Sequence, residues 1–319
     1  MGDRREAVRA ALAAAGGGVV SGETLAGELG CSRAAVHRHV EALRREGLPV
    51  QGASGGYALD PAADVIAPTL IQERLVPPLA GPLEWHASIG STNEAVAAAA
   101  RAGAAEGLAV VAERQSAGRG RRGRRWLAAP GQALLTSVLL RPAVPPVDAA
   151  TLPLLMAVAA AEAVGPSARI AWPNDILLGG RKVAGVLIET SGDHERLAWA
   201  VAGVGINVHA APDLRDARWP PGSLADDGPA PGRGDLLVDL LGALGRRYEV
   251  WRRDGPADVL AAFGARDALL GGRVVLGTDE GEVAGLACGV DDLGRLLVEV
   301  GGVRQALAAG EVVGVGPAG

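Results

Sequence analysis

Residues 118–126 constrain the fold more than any other stretch of this sequence. They read Gly-Arg-Gly-Arg-Arg-Gly-Arg-Arg-Trp, with five arginines in the seven positions 119–125. Like charges repel one another and glycine disfavours a helix, so the segment predicts a mobile loop with a concentrated positive field. Guanidinium groups bind phosphate in a bidentate manner, and glycine lets backbone N–H groups approach an anion. We therefore expect a loop that closes over an anion; an arginine-rich RNA-binding peptide and a solvated surface turn are the alternatives.

Lysine is almost absent from the chain. Of the 31 lysine and arginine residues, only Lys182 is a lysine. An ammonium group is compact and flexible whereas a guanidinium is a planar fork, so the retained lysine indicates a role that arginine does not fill. Chance retention is the alternative. Lys182 also follows closely on the motif WPND at 172–175.

The first 60 residues predict a DNA-binding domain. Helical spacing and capping serines predict three helices at residues 4–15, 23–29 and 33–46. A Gly-containing turn precedes the third helix, which is the helix-turn-helix pattern, and extended pieces at 48–51 and 56–59 form a wing. The segment holds seven basic and seven acidic residues. Because it has no basic excess, a winged helix that binds protein is the alternative.

The remainder of the chain predicts two further domains. Short apolar strands outnumber helices between residues 84 and 208, which favours a mixed sheet with helices. Four short strands between 273 and 308, separated by the turns TDEG, DDLG and GG, predict a small closed barrel. The predicted fold class is α+β, with a winged helix-turn-helix domain at 1–62, a central mixed β-sheet domain at 63–268 and an SH3-like β-barrel at 269–319.

Composition and charge exclude several classes of protein. The net charge of −5 argues against indiscriminate binding of polyanions by the whole molecule. The most apolar run, 152–164, is too short to span a bilayer and predicts a buried helix. Cys31 and Cys288 form no metal-binding pattern and are expected to be reduced thiols. We therefore expect a cytoplasmic protein without a membrane partner.

Four motifs in this order resemble those of the biotin protein ligases: GRGRRGRRW at 118–126, WPND at 172–175, RKVAG at 181–185 and GVGIN at 203–207. Residues 22–41 resemble the DNA-binding domain of bifunctional ligases, which also repress biotin operons. The resemblance covers essentially the whole chain. It implies a central domain like that of the biotin and lipoate ligases.

The resemblance also implies a reaction and its partners. Biotin is activated with Mg²⁺ and ATP to biotinyl-5′-AMP, and is then transferred to one lysine of a biotin carboxyl carrier protein domain. Operator DNA and a homodimer that forms when the adenylate is bound are the further partners implied. Lipoate or octanoate transferases, and a non-enzymatic regulator made of a winged helix and a ligand-sensing domain, are the alternatives.

Matching the motifs position by position assigns roles to individual residues. Lys182, Arg119 and Arg121 are the predicted catalytic residues, with the ammonium group of Lys182 between the biotin carboxylate and the α-phosphate. The residues predicted to bind biotin are Ser91, Thr92, Asn93, Gln115, Gly118, Arg119, Gly120, Arg121, Lys182, Gly185, Gly203 and Gly205. Those predicted to bind the nucleotide are Arg122, Arg124, Trp126, Asn174, Asp175 and Asn207. Those predicted to bind DNA are Gly22, Ser32, Arg33, Ala34, His37, Arg38 and Glu41.

Three details qualify these assignments. Mg²⁺ enters with ATP, and Asp175 is the candidate protein ligand. The sequence Ser91-Thr92-Asn93-Glu94 also fits a capping box at the start of a helix, and Trp126 taken alone is more often a core residue. Ala171 stands where many members of the family have lysine, and Arg125 stands where lysine often precedes the tryptophan.

Overall fold

The computed structural model describes residues 2–193, 195–214, 217–278 and 281–316. Within these ranges the chain forms three β-sheets, one in each of the three predicted segments. The predicted α+β class is confirmed. Positions 279 and 280 of the predicted TDEG turn, and the chain ends at 1 and 317–319, lie outside the described residues.

The N-terminal segment is a winged helix-turn-helix. Its elements are α1 (Gly2–Ala14), β1 (Val20–Ser21), α2 (Gly22–Glu28), α3 (Arg33–Arg45), β2 (Val50–Ala53) and β3 (Gly56–Leu59). The Ser21 hydroxyl caps α2 and the Ser32 hydroxyl caps α3, as the sequence predicts. Val36, Val40 and Leu43 repeat at helical spacing and bury one face of α3. The opposite face of α3 is left at the surface.

A seven-stranded sheet forms the centre of the molecule, in the order β4-β5-β6-β10-β9-β8-β7. Its strands are β4 (Leu83–His86), β5 (Ala109–Ala112), β6 (Ala133–Leu140), β7 (Arg169–Ala171), β8 (Asp175–Leu178), β9 (Arg181–Gly192) and β10 (Leu197–Asn207). The pair β4–β5 is parallel and the other pairs are antiparallel. The hairpin β9–β10 therefore carries both the RKVAG and the GVGIN motifs.

Helices cover both faces of this sheet. They are α4 (Pro68–Gln72), α5 (Thr92–Arg101), α6 (Leu152–Val164), α7 (Arg233–Asp254) and α8 (Ala257–Gly264). Apart from Glu162 the helix α6 is apolar, and nine of its thirteen residues are buried, in agreement with the prediction of a buried helix. On the other face, Val96 and Ala100 of α5 pack against alternate residues of the strands, including Val110, Leu139 and Val201. This packing places the start of α5 beside Ser137 of β6 and Glu189 of β9.

The start of α5 differs from the prediction in one respect. Ser91 is the residue that precedes α5, but its side chain makes no capping hydrogen bond, so the predicted capping box is wrong. The backbone N–H of Thr92 donates instead to Gln115 Oε1, at 2.8 Å. Because Gln115 supplies the acceptor, the hydroxyl of Ser91 is not used to hold the helix end.

The C-terminal segment is a five-stranded antiparallel sheet. Its strands are β11 (Arg273–Thr278), β12 (Gly281–Val290), β13 (Leu296–Val300), β14 (Val303–Leu307) and β15 (Glu311–Gly316). Four of them correspond to the predicted strands. The fifth, β15, was missed, and it pairs with β11. The Trp172 indole N–H donates to the carbonyl of Gly294 at 3.0 Å, so this sheet rests on the central domain.

The interior of the C-terminal sheet is continuous with the central core. Val274, Leu296 and Val312 belong to the same buried cluster as α6. The proposed domain boundary at 268/269 therefore separates two segments of sequence that share one core. Along the described ranges, none of the helices has the length and apolar character needed to cross a bilayer.

Candidate active site

A cavity of about 770 Å³ opens at one end of the central sheet. Its walls come from the start of α5, the arginine loop, β8, β9 and β10, residues of the stretches 212–214 and 217–221, and Gly310, Val312 and Val313 of the C-terminal segment. The predicted ligand-binding residues that line it are Ser91, Thr92, Asn93, Gln115, Arg119, Gly120, Arg121, Arg122, Arg124, Trp126, Asn174, Asp175, Lys182, Gly185, Gly203, Gly205 and Asn207. The four motifs are spread over residues 118–207 of the sequence, and the fold brings them together at one cavity.

Gly118 is the exception among the predicted ligand residues. It is buried within the arginine loop, and a Cβ atom added there would lie 2.7 Å from the carbonyl oxygen of Trp126. The backbone N–H of Trp126 also donates to the carbonyl of Gly118, at 3.0 Å. The place of Gly118 in the loop is explained by this close approach of two backbone segments, and direct contact with a ligand is not needed.

One side of the cavity is a buried network of uncharged polar groups. Gln115 Oε1 lies 2.8 Å from the Thr92 backbone nitrogen and 3.2 Å from the Thr92 hydroxyl. The Ser137 hydroxyl lies 2.7 Å from Thr92 Oγ1 and 2.6 Å from Asn93 Oδ1. Thr92 and Asn93 are each at most 5% exposed and Ser137 is fully buried. Buried polar groups that are fully bonded are held rigidly, so this side is formed before any ligand arrives.

Gly203 belongs to this network through its lack of a side chain. A Cβ atom added at Gly203 would lie 2.0 Å from Asn93 Oδ1. Only glycine therefore leaves room for the Asn93 amide between α5 and β10. Gly203, a residue predicted to bind biotin, thus also allows a close approach to a neighbouring side chain.

The arginine loop is a small hairpin in the structure. Gly120 N–H donates to the carbonyl of Arg124 at 2.7 Å, and Arg119 pairs with Arg125. A short 3₁₀ turn spans Arg121–Gly123, within which Arg122 adopts φ 54°. This left-handed conformation is uncommon for a residue that is not glycine. The mobility of the loop stays a prediction, because the structure describes one conformation of it.

The other side of the cavity carries charges. Lys182 Nζ lies 2.5 Å from Asp175 Oδ1, and Arg218 Nη2 lies 2.5 Å from Asp175 Oδ2. Arg121 reaches the same region, since its Nη1 donates to Asn174 Oδ1 at 3.3 Å. Three cations therefore surround one buried carboxylate. An excess of fixed positive charge at the end of a cavity favours a polyanionic ligand.

Burial perturbs two of these cations. Desolvation lowers the pKa of the Arg121 guanidinium, and repulsion from Arg122 lowers it further. Desolvation also lowers the pKa of Arg218, while the attraction of Asp175 opposes that change. Both shifts mean that the charged forms are less stable here than in water. A phosphate group would relieve this cost by replacing lost solvation with charge-assisted hydrogen bonds.

Trp126 lies against the backbone of the β9–β10 hairpin. A Cβ atom added at Gly205 would lie 2.3 Å from its ring, and one added at Gly185 would lie 2.9 Å from it. Lys182 Nζ is 5.8 Å from the ring centroid. The indole nitrogen and Asn207 Oδ1 are buried, and neither has a hydrogen-bond partner among the residues that the structure describes. Such groups cost free energy unless something bonds them, so they are candidate contacts for a polar ligand.

Ala171 is fully buried in the central core. A lysine at this position would have to leave that core for its ammonium group to be solvated. The chain has an alanine where the family often has lysine, and the packing around Ala171 matches the smaller side chain. Arg125 lines the cavity and donates to the carbonyl of Ser116 at 3.2 Å.

The residues predicted to bind DNA divide into two groups. Arg33, Ala34, His37 and Arg38 are exposed on α3, next to Ser32 at its start. Gly22 is buried at the start of α2 and Glu41 is ion-paired with Arg44 at 2.5 Å, so neither presents a free surface group. His37 also stacks on Tyr57 of the wing, with 6.5 Å between ring centroids. The exposed face of α3 and the wing thus form one surface.

Sequence reasoning missed three residues of the site: Ser137, Glu189 and Arg218. Ser137 follows another polar residue in the otherwise apolar strand ALLTSVLL, and that interruption was an available signal. Glu189 follows Gly185 at the period-2 spacing of a strand face, which could also have indicated it. Arg218 lies in a Pro/Gly/Asp-rich loop that carries no periodic pattern, and nothing short of the fold identifies it.

Comparison with known proteins agrees with this geometry. Residues 85–207 match the biotin/lipoate A/B protein ligase family and residues 4–58 match an HTH domain. The chain is 33% identical to the bifunctional ligase/repressor BirA of Bacillus subtilis, over 92% of this chain and 94% of that protein. It is 38% identical to the biotin–[acetyl-CoA-carboxylase] ligase of Mycobacterium tuberculosis, over 72% of this chain and 88% of that protein.

A solved structure gives the same result. The biotin protein ligase from Aquifex aeolicus in complex with biotin and ATP superposes with a TM-score of 0.61 at 25% identity, over 72% of this chain and 96% of that one. The similarity to these proteins spans the catalytic segment, and in the Bacillus protein it extends through the N-terminal helices. The chain belongs to the biotin/lipoate A/B protein ligase family, as a member that carries an N-terminal helix-turn-helix domain.

Proposed function

We propose that the chain activates biotin with ATP to biotinyl-5′-AMP and transfers the biotinyl group to a lysine of a biotin carboxyl carrier protein domain. One observation carries this proposal. A single cavity joins a rigid, uncharged polar wall to a cluster of cations, with Lys182 among those cations. Biotin has an uncharged ring system and a carboxylate, and ATP is a polyanion, so the two walls match the two substrates.

The first half-reaction joins two anions. A carboxylate oxygen of biotin attacks the α-phosphorus of ATP, the bond to the bridging oxygen breaks, and pyrophosphate leaves. Fixed positive charge must offset the repulsion between the reactants and the charge that grows on the phosphoryl oxygens. We assign the central part of this role to Lys182, and Arg121 and Arg119 add positive charge from the arginine loop. Lys182 has the compact ammonium group that fits between the carboxylate and the phosphate.

Asp175 is the residue that would hold the Mg²⁺ that enters with ATP. Mg²⁺ in nucleotide sites is commonly held by one or two carboxylates together with the substrate phosphates. Asp175 is buried, and it is the carboxylate that contacts Lys182 and Arg218 in the cation cluster. The ion would neutralise phosphate charge. Asn174, next to Asp175, is held by its Nδ2 bond to the carbonyl of Val186, at 2.9 Å, and presents its oxygen to Arg121.

The second half-reaction needs no further protein nucleophile. The amine of the acceptor lysine attacks the carbonyl carbon of the mixed anhydride, AMP leaves, and the amine loses its proton to solvent or to the departing phosphate. Trp126 and Asn207, with their unbonded polar atoms, are the proposed contacts to the adenylate. The loop 118–126 would close over it.

Two assays test the catalytic proposal. Biotin-dependent exchange of pyrophosphate into ATP reports the first half-reaction, and transfer of labelled biotin to a carrier domain reports the second. A lipoate or octanoate transferase would fail with biotin and act on its own acyl group. A non-enzymatic sensor would bind biotin without exchange.

A second function is favoured by the N-terminal domain. The exposed face of α3 and the adjoining wing support binding to operator DNA as a repressor. One winged helix offers few contacts, so we expect a two-fold dimer that reads a palindrome and forms when the adenylate is bound. Sedimentation with and without biotin plus ATP, together with binding to the DNA upstream of the chain's own gene, tests this. An unchanged monomer on DNA would contradict it.

A further inference from the structure

A chain of hydrogen bonds begins at the proposed biotin side of the cavity and ends on a carboxylate outside it. Thr92 Oγ1 lies 2.7 Å from Ser137 Oγ, which lies 2.6 Å from Asn93 Oδ1. Asn93 Nδ2 donates to Glu189 Oε2 at 2.7 Å. Arg119 Nη2 donates to the same Glu189 oxygen at 3.1 Å. Thr92 lines the cavity, whereas Ser137 and Glu189 lie behind it.

The carboxylate at the end fixes the direction of every bond in the chain. A carboxylate oxygen accepts hydrogen bonds, and a carboxamide has a separate donor end and acceptor end. Asn93 Nδ2 faces two acceptors, Glu189 and the carbonyl of Leu187 at 3.4 Å, so Asn93 Oδ1 faces Ser137. Because an amide oxygen does not donate, the Ser137 hydroxyl must donate to it. Ser137 therefore accepts its other hydrogen bond from the Thr92 hydroxyl.

These directions decide what the cavity offers to a ligand. The Thr92 proton could instead point to Gln115 Oε1, but that distance is 3.2 Å against 2.7 Å to Ser137. Because its proton is donated to Ser137, the Thr92 hydroxyl can act towards a ligand in the cavity only as a hydrogen-bond acceptor. Gln115 Oε1 already accepts a hydrogen bond from the Thr92 backbone N–H. The other end of the Gln115 amide, Nε2, is a donor. An acceptor and a donor thus stand side by side, which is the complement of a cyclic urea with its N–H beside its C=O.

We propose that Glu189 is a positioning residue that sets this donor–acceptor pattern through Asn93 and Ser137, and so determines the recognition of the ureido ring. The inference rests on the proposed function, since biotin is the ligand that carries such a ring. Glu189 acts without contacting the ligand. The Glu189 carboxylate also forms an ion pair with Arg119, so it contacts both the polar wall and the arginine loop.

The test compares two carboxylates that both contact Arg119. Glu189→Ala removes the nearer of the two acceptors at Asn93 Nδ2 and leaves the Leu187 carbonyl at 3.4 Å, which weakens the preference of the amide for its present orientation and lets the hydroxyl protons reverse. Glu94→Ala is the matched control, because Glu94 lies 3.7 Å from Arg119 and its removal leaves the acceptor at Asn93 in place. Binding of biotin to the full chain, measured by titration calorimetry, should weaken about tenfold in Glu189→Ala. It should stay within about twofold in Glu94→Ala, as expected for an exposed ion pair.

Further measurements separate a positioning role from a general loss of structure. Dethiobiotin keeps the ureido ring and lacks the sulfur, so its affinity should fall by the same factor as that of biotin. KM for ATP should not change. Glu189→Gln keeps an acceptor oxygen and should recover part of the affinity, and Ser137→Ala should reproduce the loss with Glu189 intact. Thermal unfolding verifies that each variant is folded, and Ser137→Ala and Glu189→Gln carry the test if Glu189→Ala is not.

Specific outcomes would overturn the inference. Equal losses in Glu189→Ala and Glu94→Ala would show that the effect passes through Arg119. Unchanged biotin affinity in Glu189→Ala or in Ser137→Ala would show that the bonds do not set the pattern. If the unmodified chain has no biotin-dependent pyrophosphate exchange, the proposed function itself fails. An active chain with unaffected variants would remove only the role of Glu189.

Discussion

The two walls of the cavity are built by different means. The proposed biotin wall consists of uncharged groups such as Thr92 and Ser137, which are buried on a helix start and a central strand. The proposed nucleotide wall consists largely of charged groups, and Arg122 and Arg124 are exposed on a loop. A neutral ring is selected by a rigid pattern of donors and acceptors, whereas a polyanion is attracted by charge. The two walls should therefore respond to substitution in different ways.

The largest effect is expected at the point where the walls meet. Lys182→Arg conserves charge and can still pair with Asp175, so the fold should be kept. The wider, rigid guanidinium cannot occupy the position between carboxylate and α-phosphate. Removing one well-placed charge contact costs on the order of 10²–10³ in rate. The measurement is biotin-dependent pyrophosphate exchange, and near-normal turnover would remove Lys182 from the mechanism.

The neighbouring residue provides the control for this substitution. Arg181 pairs with Asp226 and Asp227 at 3.2 and 2.6 Å, at the mouth of the β8–β9 turn. Arg181→Lys makes the opposite exchange next to the site, and exchange activity should be retained. An equal loss in both variants would mean that the β9 strand, and not the ammonium group, is what the substitution disturbs.

The two walls also differ in how far their residues can be predicted from sequence. Resemblance of short motifs to those of the biotin protein ligases identified Lys182, Trp126 and Asn207 as candidates, and the structure brings them into one cavity. Ser137 and Glu189 were not identified, because their hydrogen-bond partners come from distant segments, namely the start of α5 and the arginine loop. Contacts between distant segments are set by register and by packing of α5, which no local pattern contains.

The fold shows the same division between local and distant information. Helices with a capping serine or a continuous apolar run, such as α3 and α6, were predicted nearly to the residue. The fifth C-terminal strand, β15, was missed because its sequence EVVGVG follows a Gly and has glycine at two of six positions. It is a strand because β11 offers an unpaired edge, and that is a tertiary effect which overrides local propensity.

A methyl group at Gly205 should displace Trp126 and so affect the nucleotide wall more than the biotin wall. The added Cβ would lie 2.3 Å from the ring, so the indole must move by about an ångström. A misplacement of that size can cost about 10²-fold in catalysis. Gly205 was among the residues predicted to bind biotin, but in the structure its neighbour is the Trp126 ring, so we expect Gly205→Ala to lower kcat/KM for ATP by that order and to change biotin affinity much less. Gly242→Ala in α7, distant from the cavity, is the control; a parallel loss of biotin affinity would mean that the walls are not independent.

A substitution in the polar wall should instead lower stability. Thr92→Val keeps the shape of the side chain and removes its hydroxyl. The buried Ser137 hydroxyl then loses its hydrogen bond with Thr92. An unsatisfied buried group costs about 1–3 kcal/mol. The free energy of unfolding, measured in urea, should fall by this amount. Lys182→Arg should leave it unchanged. Equal stability of Thr92→Val and the unmodified chain would show that the network is not tightly formed.

The smallest effect is expected in the arginine loop, where Arg121→Gly should weaken retention of the adenylate more than its synthesis. Arg121 Nη1 bonds to Asn174 Oδ1 at 3.3 Å, so this residue connects the loop to the turn that carries Asp175. Removing the side chain deletes that connection and one cation, and leaves Lys182 and Arg218 in place. Loss of one charge-assisted hydrogen bond corresponds to about tenfold, and in a series of variants such changes appear mainly in the rate of dissociation.

A chase experiment separates the two consequences of this substitution. Labelled adenylate is formed on the enzyme, unlabelled biotin and ATP are added, and the escape of label is followed. Arg114→Gly is the matched control, since Arg114 is an exposed arginine a few residues before the arginine loop and does not line the cavity. Faster escape with pyrophosphate exchange largely retained would support a closing loop. If Arg121→Gly holds the adenylate as long as the unmodified chain does, the loop contributes charge but not closure, and the nucleotide wall is as rigid as the biotin wall.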